Sequence, residues 1–162
     1  MQIIKPTNEK IFISKSYIHV FLGGSIEMGK ADDWQNKLCE EFINEKNIIF
    51  FNPRRDSWDN SWIQEEKNTV FNQQVNWELN HLDAADLIFM YLQPNAISPI
   101  SLLEIGLYAN SKKLIICCPD GFHRKGNVNI VCTRYNIPLY NSFEDAIGGL
   151  KTLINYKKTS LI

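Results

Sequence analysis

One carboxylate stands inside a run of apolar and small residues, Ile97-Ser-Pro-Ile-Ser-Leu-Leu-Glu-Ile-Gly-Leu-Tyr-Ala109. That residue is Glu104. An acid held among Leu, Ile and Pro is partly desolvated, which raises its pKa or makes it a reactive nucleophile. A structural reading competes. Ser101-x-x-Glu104 fits a capping box, in which the acid only closes the first turn of a helix. Ser98-Pro99 instead fits an N-cap followed by Pro at the first helical position. The two registers exclude each other. The Ser-Pro pair favours the second, which puts Glu104 one turn too deep to cap.

Three other clusters could do chemistry. Gly23-Gly-Ser-Ile-Glu-Met-Gly29 follows an apolar run and precedes a helical pattern. Glycines there allow close backbone approach, and a helix N-terminus attracts anions. The cluster lacks the GxGxxG spacing of dinucleotide binders and the Lys of a P-loop, and a plain tight turn explains it equally well. Glu27 opposes a strongly anionic ligand unless it points away. Asn52-Pro-Arg-Arg-Asp-Ser-Trp58 offers Trp58, with Trp62 beyond it, to stack on a planar base. Arg54 and Asp56 could bond that base's edge; a solvated Arg–Asp pair and a turn at Pro53 and Asp56 are the plainer alternatives. Gln74, Glu78 and His81 fall at i, i+4 and i+7, hence on one helical face. That face is either solvated or lies at the edge of the buried stripe, since Val75, Leu79 and Leu82 flank Glu78.

Other chemistries lack their residues. His19, His81 and His123 show no metal-ligand spacing with carboxylates or cysteines, and there is no GxSxG elbow. Cys39, Cys117, Cys118 and Cys132 do not form metal spacing, and the adjacent Cys117 and Cys118, inside an apolar run, read as buried small hydrophobes of a reducing cytoplasm. The net charge of −1 carries no long basic run, which leaves nucleic acid little to bind. The start, Met1-Gln-Ile-Ile-Lys-Pro, has no signal-peptide core, and no apolar stretch reaches the length of a membrane span.

The elements that must position these residues follow from the hydrophobic pattern. With 162 residues, of which 44% are hydrophobic, the chain suits one domain, residues 1–162, with a core over 18–154. Apolar runs at Ile18–Leu22, Ile48–Phe51, Leu87–Tyr91, Leu114–Cys118 and Ile137–Tyr140 predict about five strands. Helical patterns fall at Ala31–Glu45, with Trp34, Leu38 and Phe42 inward, and at Thr69–Ala85, burying Phe71, Val75, Leu79 and Leu82. Further helices are expected at Ser98–Asn110, at Val128–Tyr135 and from a Ser142 cap through Leu153, with a frayed tail from Asn155 onward. Asn52–Lys67 reads as a long loop, of the kind that is often functional. Alternating strands and helices predict an α/β fold, a doubly wound parallel sheet of Rossmann or flavodoxin-like type. In such sheets ligands sit beyond the carboxyl ends of the strands.

Taken in order, these segments resemble the nucleoside 2-deoxyribosyltransferase superfamily from about Ile18 to Tyr140. The resemblance rests on the Gly-Gly-Ser turn, Asn-Pro-Arg-Arg, Trp77-Glu-Leu-Asn-His-Leu-Asp-Ala-Ala-Asp86, Ser-Pro-Ile-Ser-Leu-Leu-Glu-Ile-Gly106 and Pro119-Asp-Gly-Phe-His-Arg-Lys-Gly-Asn-Val128. It implies that Glu104 is the nucleophile at C1′ of the sugar and that Glu78 positions or protonates the substrate. It implies substrate contacts around Gly23, Gly24 and Ser25. It also implies no cofactor, a cytoplasmic setting, and a homo-oligomer that shares its site, with Asn127 as the counterpart of a residue donated by a neighbour. Two positions depart from the branch that uses unphosphorylated nucleosides: Phe21 replaces an aromatic hydroxyl, and Ser98 replaces an acid. Ser98 resembles the branch that cleaves nucleoside 5′-monophosphates, whereas Glu27 stands where that branch is basic. The expected activity is transfer of the sugar to another base or to water. Monophosphate N-glycosidase activity, and nucleotide binding without turnover, are the alternatives.

Overall fold

The computed structural model describes residues 1–6, 13–26, 32–55 and 63–159. Its strands are β1 (Gln2–Ile4), β2 (Ile18–Gly24), β3 (Ile48–Phe51), β4 (Leu87–Tyr91), β5 (Leu114–Cys117) and β6 (Leu139–Tyr140). Its helices are α1 (Trp34–Glu40), α2 (Thr69–Ala84), α3 (Pro99–Tyr108), α4 (Lys125–Tyr135) and α5 (Phe143–Thr159). The strands form one sheet in the order β1-β3-β2-β4-β5-β6, every pairing parallel. This is the doubly wound α/β fold that the alternating pattern predicts, with β1 added at one edge.

Parallel strands covered on both faces must be apolar throughout, and successive side chains then divide between two cores. Phe21, Phe51, Ile88, Met90 and Ile116 pack under α2, α3 and α4 against Trp77, Leu82, Ile105, Ala109 and Val128. Val20, Leu22, Phe50, Phe89 and Ile115 face the other way, against Trp34, Leu38 and Phe42 of α1 and Ala146, Leu150 and Ile154 of α5. All four cysteines are buried free thiols, and burial pushes each of them up, to about 12 for Cys39 and Cys117 and about 11 for Cys118 and Cys132. Thiols so protonated are packing groups, not nucleophiles.

Several boundaries differ from expectation. Helix α1 is shorter than Ala31–Glu45: Asp33 caps it through the Asn36 N–H, and turns follow Glu40, burying Phe42 and leaving Ile43 exposed. Helix α4 begins at Lys125, three residues before Val128, and ends on Asn136 in the left-handed conformation. Helix α5 runs to Thr159, past Leu153, so residues 155–159 are helical and not a frayed tail. Ile154 is buried, and the Lys158 ammonium pairs with Glu45 at 2.9 Å. Ser142 caps α5 as expected, accepting from the Asp145 N–H at 3.1 Å. Helix α2 is rotated from its predicted stripe. Gln74, Trp77, His81 and Leu82 are buried, Phe71 and Val75 only half-buried, and Leu79 exposed.

The sheet reverses direction at β2. The chain steps from β2 to β3 on one side, then crosses back through α2 to β4 on the other. The crevice at such a switch point is where α/β sheets take their ligands. The carboxyl ends of β2, β3 and β4 deliver Gly23–Ser25, Asn52–Arg55 and the segment that leads into α3.

Candidate active site

Glu104 lies in the second turn of α3, and only 7% of it is exposed. The helix begins at Pro99 with Ser98 at the N-cap position, so the capping-box register for Glu104 does not occur. Ser101, Glu104 and Ile105 form the buried stripe of this helix. Desolvation, reinforced by the neighbouring Glu78 carboxylate, pushes Glu104 up to about 8. Glu78 is itself raised to about 7: burial drives it up, while a hydrogen bond from Gln74 and the Arg55 charge pull the other way. The buried Glu104 of α3 and the half-buried Glu78 of α2 are thus coupled through their charges, and each carboxyl is shifted toward its protonated form.

The polar face of α2 points inward, not into solvent. The Gln74 amide donates to Glu78 Oε1 at 2.6 Å and to the Pro53 carbonyl at 3.1 Å, and accepts from Arg55 Nε. His81 is a packed core histidine. Its Nδ1 lies 2.6 Å from the Trp77 carbonyl, its ring stacks on Trp77, and burial lowers its pKa.

The turn after β2 is built by close backbone contact. Gly24 has φ 134°, and a Cβ there would strike the Tyr91 backbone; a Cβ on Gly23 would strike the Met90 thioether. Ser25 is fully buried and held at every polar atom. Its N–H donates to the Tyr91 carbonyl at 2.8 Å, its own carbonyl accepts from Trp34 Nε1 at 2.9 Å, and its hydroxyl accepts from the Gln93 N–H at 2.9 Å. That hydroxyl also lies 2.7 Å from Ser98 Oγ. Ser98 occupies the N-cap position, yet its side chain makes no cap; its φ of 45° turns it instead toward Ser25. A non-glycine residue in that conformation costs on the order of 1 kcal/mol and is held only where its surroundings insist, which is characteristic of ligand sites.

The remaining sequence candidates are distributed differently. Phe21 is buried beneath α2 and α3, on the Glu104 side of the sheet. Asn52 is buried, and its side-chain oxygen accepts from the Arg54 N–H at 3.0 Å, shaping the turn. Arg54 reaches toward α1, its guanidinium donating to the Asp32 carbonyl at 3.3 Å, and it is Arg55 that approaches the acids. Asp56 and Trp58, with Trp62 and Glu27, lie outside the described residues. Asn127 is exposed on α4 and lines an open apolar groove of about 310 Å3 with Leu102, Ile105, Gly106, Val128 and Val131. Sequence reasoning placed Gln74 on one face with Glu78 without giving it a role, and chose Arg54 of the Arg pair where Arg55 is the one that bonds Gln74. The signal for Gln74 was its place one turn before Glu78; nothing local told Arg55 from Arg54.

A model of the nucleoside 2-deoxyribosyltransferase-like family matches residues 17–122, which span every strand end just described. The chain belongs to that family. Its members are broadly glycosyl-transferring or glycosyl-hydrolysing enzymes acting on nucleosides. Among solved structures, a conserved protein from Enterococcus faecalis V583 superposes with a TM-score of 0.60 over 84% of this chain and 98% of its own, at 14% identity. That likeness concerns the fold. No curated protein sequence matches the chain. Among the described residues, no helix is long and apolar enough to cross a membrane, and no group of His, Cys, Asp and Glu is placed to hold a metal ion.

Proposed function

We propose that this protein cleaves the N-glycosidic bond of a deoxynucleoside or nucleoside by covalent catalysis at Glu104, passing the sugar to a second base or to water. The observation that carries this reading is the charge-coupled pair of carboxyls, buried Glu104 and half-buried Glu78, at the sheet's switch point. Breaking the C1′–N bond builds positive character at C1′, and an adjacent carboxylate stabilises it and traps it as a glycosyl ester. The bond's electron pair leaves with the base, which needs a proton. In the free protein the higher pKa belongs to Glu104, so the reacting form is the one in which the pair's proton has moved to Glu78, leaving Glu104 ionised as nucleophile and Glu78 protonated as acid. In the second half, an acceptor base or water attacks C1′, the ester bond to Glu104 breaks, and Glu78 takes the acceptor's proton.

The Gly23–Ser25 turn, Phe21 and Ser98 would contact the sugar, and the Asn52–Trp58 loop the base. A single domain suffices for all of these, with no cofactor. We assign the shared-site arrangement to a pair of copies meeting through α3, because Ile97, Ile100, Leu103 and Leu107 are 59–61% exposed along that helix. The groove that carries Asn127 lies beside this ridge.

One specific observation favours a second reading, hydrolysis of nucleoside 5′-monophosphates. The paired Ser25 and Ser98 hydroxyls stand at the N-terminus of α3, where a phosphate would be favoured.

The test is incubation with a panel of nucleosides and their monophosphates, with and without an acceptor base, followed by chromatography of released bases. Base release that disappears in Glu104→Ala, with the fold intact, is the expected result. Unchanged turnover in that variant would overturn the reading, and tight binding without any release would assign the protein to ligand binding.

A further inference from the structure

The Gln74 amide is 3% exposed and is bonded at both ends. Its Nε2 donates to Glu78 Oε1 at 2.6 Å and to the Pro53 carbonyl at 3.1 Å, while its Oε1 accepts from Arg55 Nε. This pattern fixes which way the amide points. Turned over, its oxygen would face two acceptors and its NH2 group would face a guanidinium N–H. One side chain thus touches the backbone after β3, the second arginine of that segment, and the acid on its own helix.

Resting on the reading of Glu78 given above, we propose that Gln74 is a positioning residue, holding the Glu78 carboxyl toward Glu104 and tying it to Arg55. The described charged groups that act on Glu78 are Arg55, from the segment after β3, and Glu104, from α3. Gln74 and Arg55 both favour the ionised carboxylate, and Glu104 opposes it. Arg55 and Glu78 both bond the Gln74 side chain, so the amide is a physical link between loop and acid. A residue that merely filled space at this point could be replaced by an apolar isostere without moving the titration of Glu78.

The test uses the full chain without substrate. The carboxyl 13C signal of Glu78 is titrated in the wild type, Gln74→Met, Arg55→Met and the double variant. Gln74→Met should move the Glu78 midpoint upward, by about half a pH unit or more, because a donor to the charged form is lost. The double variant should shift by less than the sum of the single shifts, the signature of a shared connection. An unmoved midpoint in folded Gln74→Met overturns the proposal, and additive shifts overturn the link to Arg55. Should Gln74→Met fail to fold, Arg55→Met alone must still raise the midpoint, and no shift there overturns the link. In base-release assays the same limb of the pH profile should move upward, with kcat falling ~10-fold and KM little changed. The titration needs no turnover. Persistent turnover in Glu104→Ala would therefore sink the catalytic reading without touching this result, and an unmoved midpoint would sink this result alone.

Discussion

Ser25 Oγ and Ser98 Oγ lie 2.7 Å apart across 73 positions of sequence, and both side chains are buried. One comes from the end of β2, the other from the strained N-cap of α3. Ser98 gives up the capping bond normal for its position in order to meet Ser25. If this pair holds a phosphate, Ser98→Ala should lower kcat/KM for nucleoside monophosphates at least ~10-fold more than for nucleosides, as loss of a charge-assisted hydrogen bond does. Steady-state assays on matched substrate pairs give that ratio. Equal losses on both would assign the hydroxyls to shaping the turn.

Glu104→Gln should abolish base release, by ~1,000-fold or more, while changing the pH dependence of stability in the opposite sense to ordinary acid denaturation. The folded pKa values, about 8 for Glu104 and about 7 for Glu78, lie above the ordinary 4.5. The fold therefore favours the neutral form. The associated stability is fully present below about 4.5 and is lost as pH rises through 7 and 8, amounting to a few kcal/mol for so large a shift. Melting curves between pH 5 and 9 should fall in the wild type and flatten in Glu104→Gln. Parallel curves would contradict the burial argument.

Gly24→Ala should destabilise the protein severely. Its φ of 134° disfavours any L side chain, and the new Cβ would meet the Tyr91 backbone, which cannot swing aside. A loss on the order of 3 kcal/mol is expected from urea unfolding. A loss under about 1 kcal/mol would mean that the β2–β4 contact relaxes easily.

Leu103→Glu or Leu107→Glu should yield a monomer in light scattering if α3 joins two copies. Both leucines are about 60% exposed, so neither change disturbs the core. Base release should fall with the assembled fraction if the site is shared. Full activity in a monomer would remove Asn127 from the site.

Much of the fold was legible because buried parallel strands must be apolar, and Ile18–Leu22, Ile48–Phe51 and Leu87–Tyr91 have few other readings. Strand β1 was not, because Gln2-Ile-Ile4 is too short to stand out and acquires meaning only by pairing with Ile49, Phe50 and Phe51. The rotation of α2 was hidden for a different reason. Periodicity counts apolar residues, and Gln74 and His81 can be buried only because Pro53, Arg55 and the Trp77 carbonyl satisfy them. Glu104 announced itself by standing alone among apolar neighbours. The partners of Glu78 and Ser98 lie far off in the chain, and no local pattern names them.

The parallel order of the sheet also governs how the molecule can be assembled in time. Strand β2 is flanked by β3 on one side and β4 on the other. As the chain leaves the ribosome, β2 gains its first neighbour once residue 51 has emerged, but its second flank stays open until residue 91. During that interval an apolar strand presents a bare edge, open to the wrong partner. The same late closure brings Tyr91 onto Gly24 and, a few residues on, Ser98 onto Ser25. The pocket therefore cannot exist before α3 is made, and a nascent chain halted before α3 would carry strands without a site.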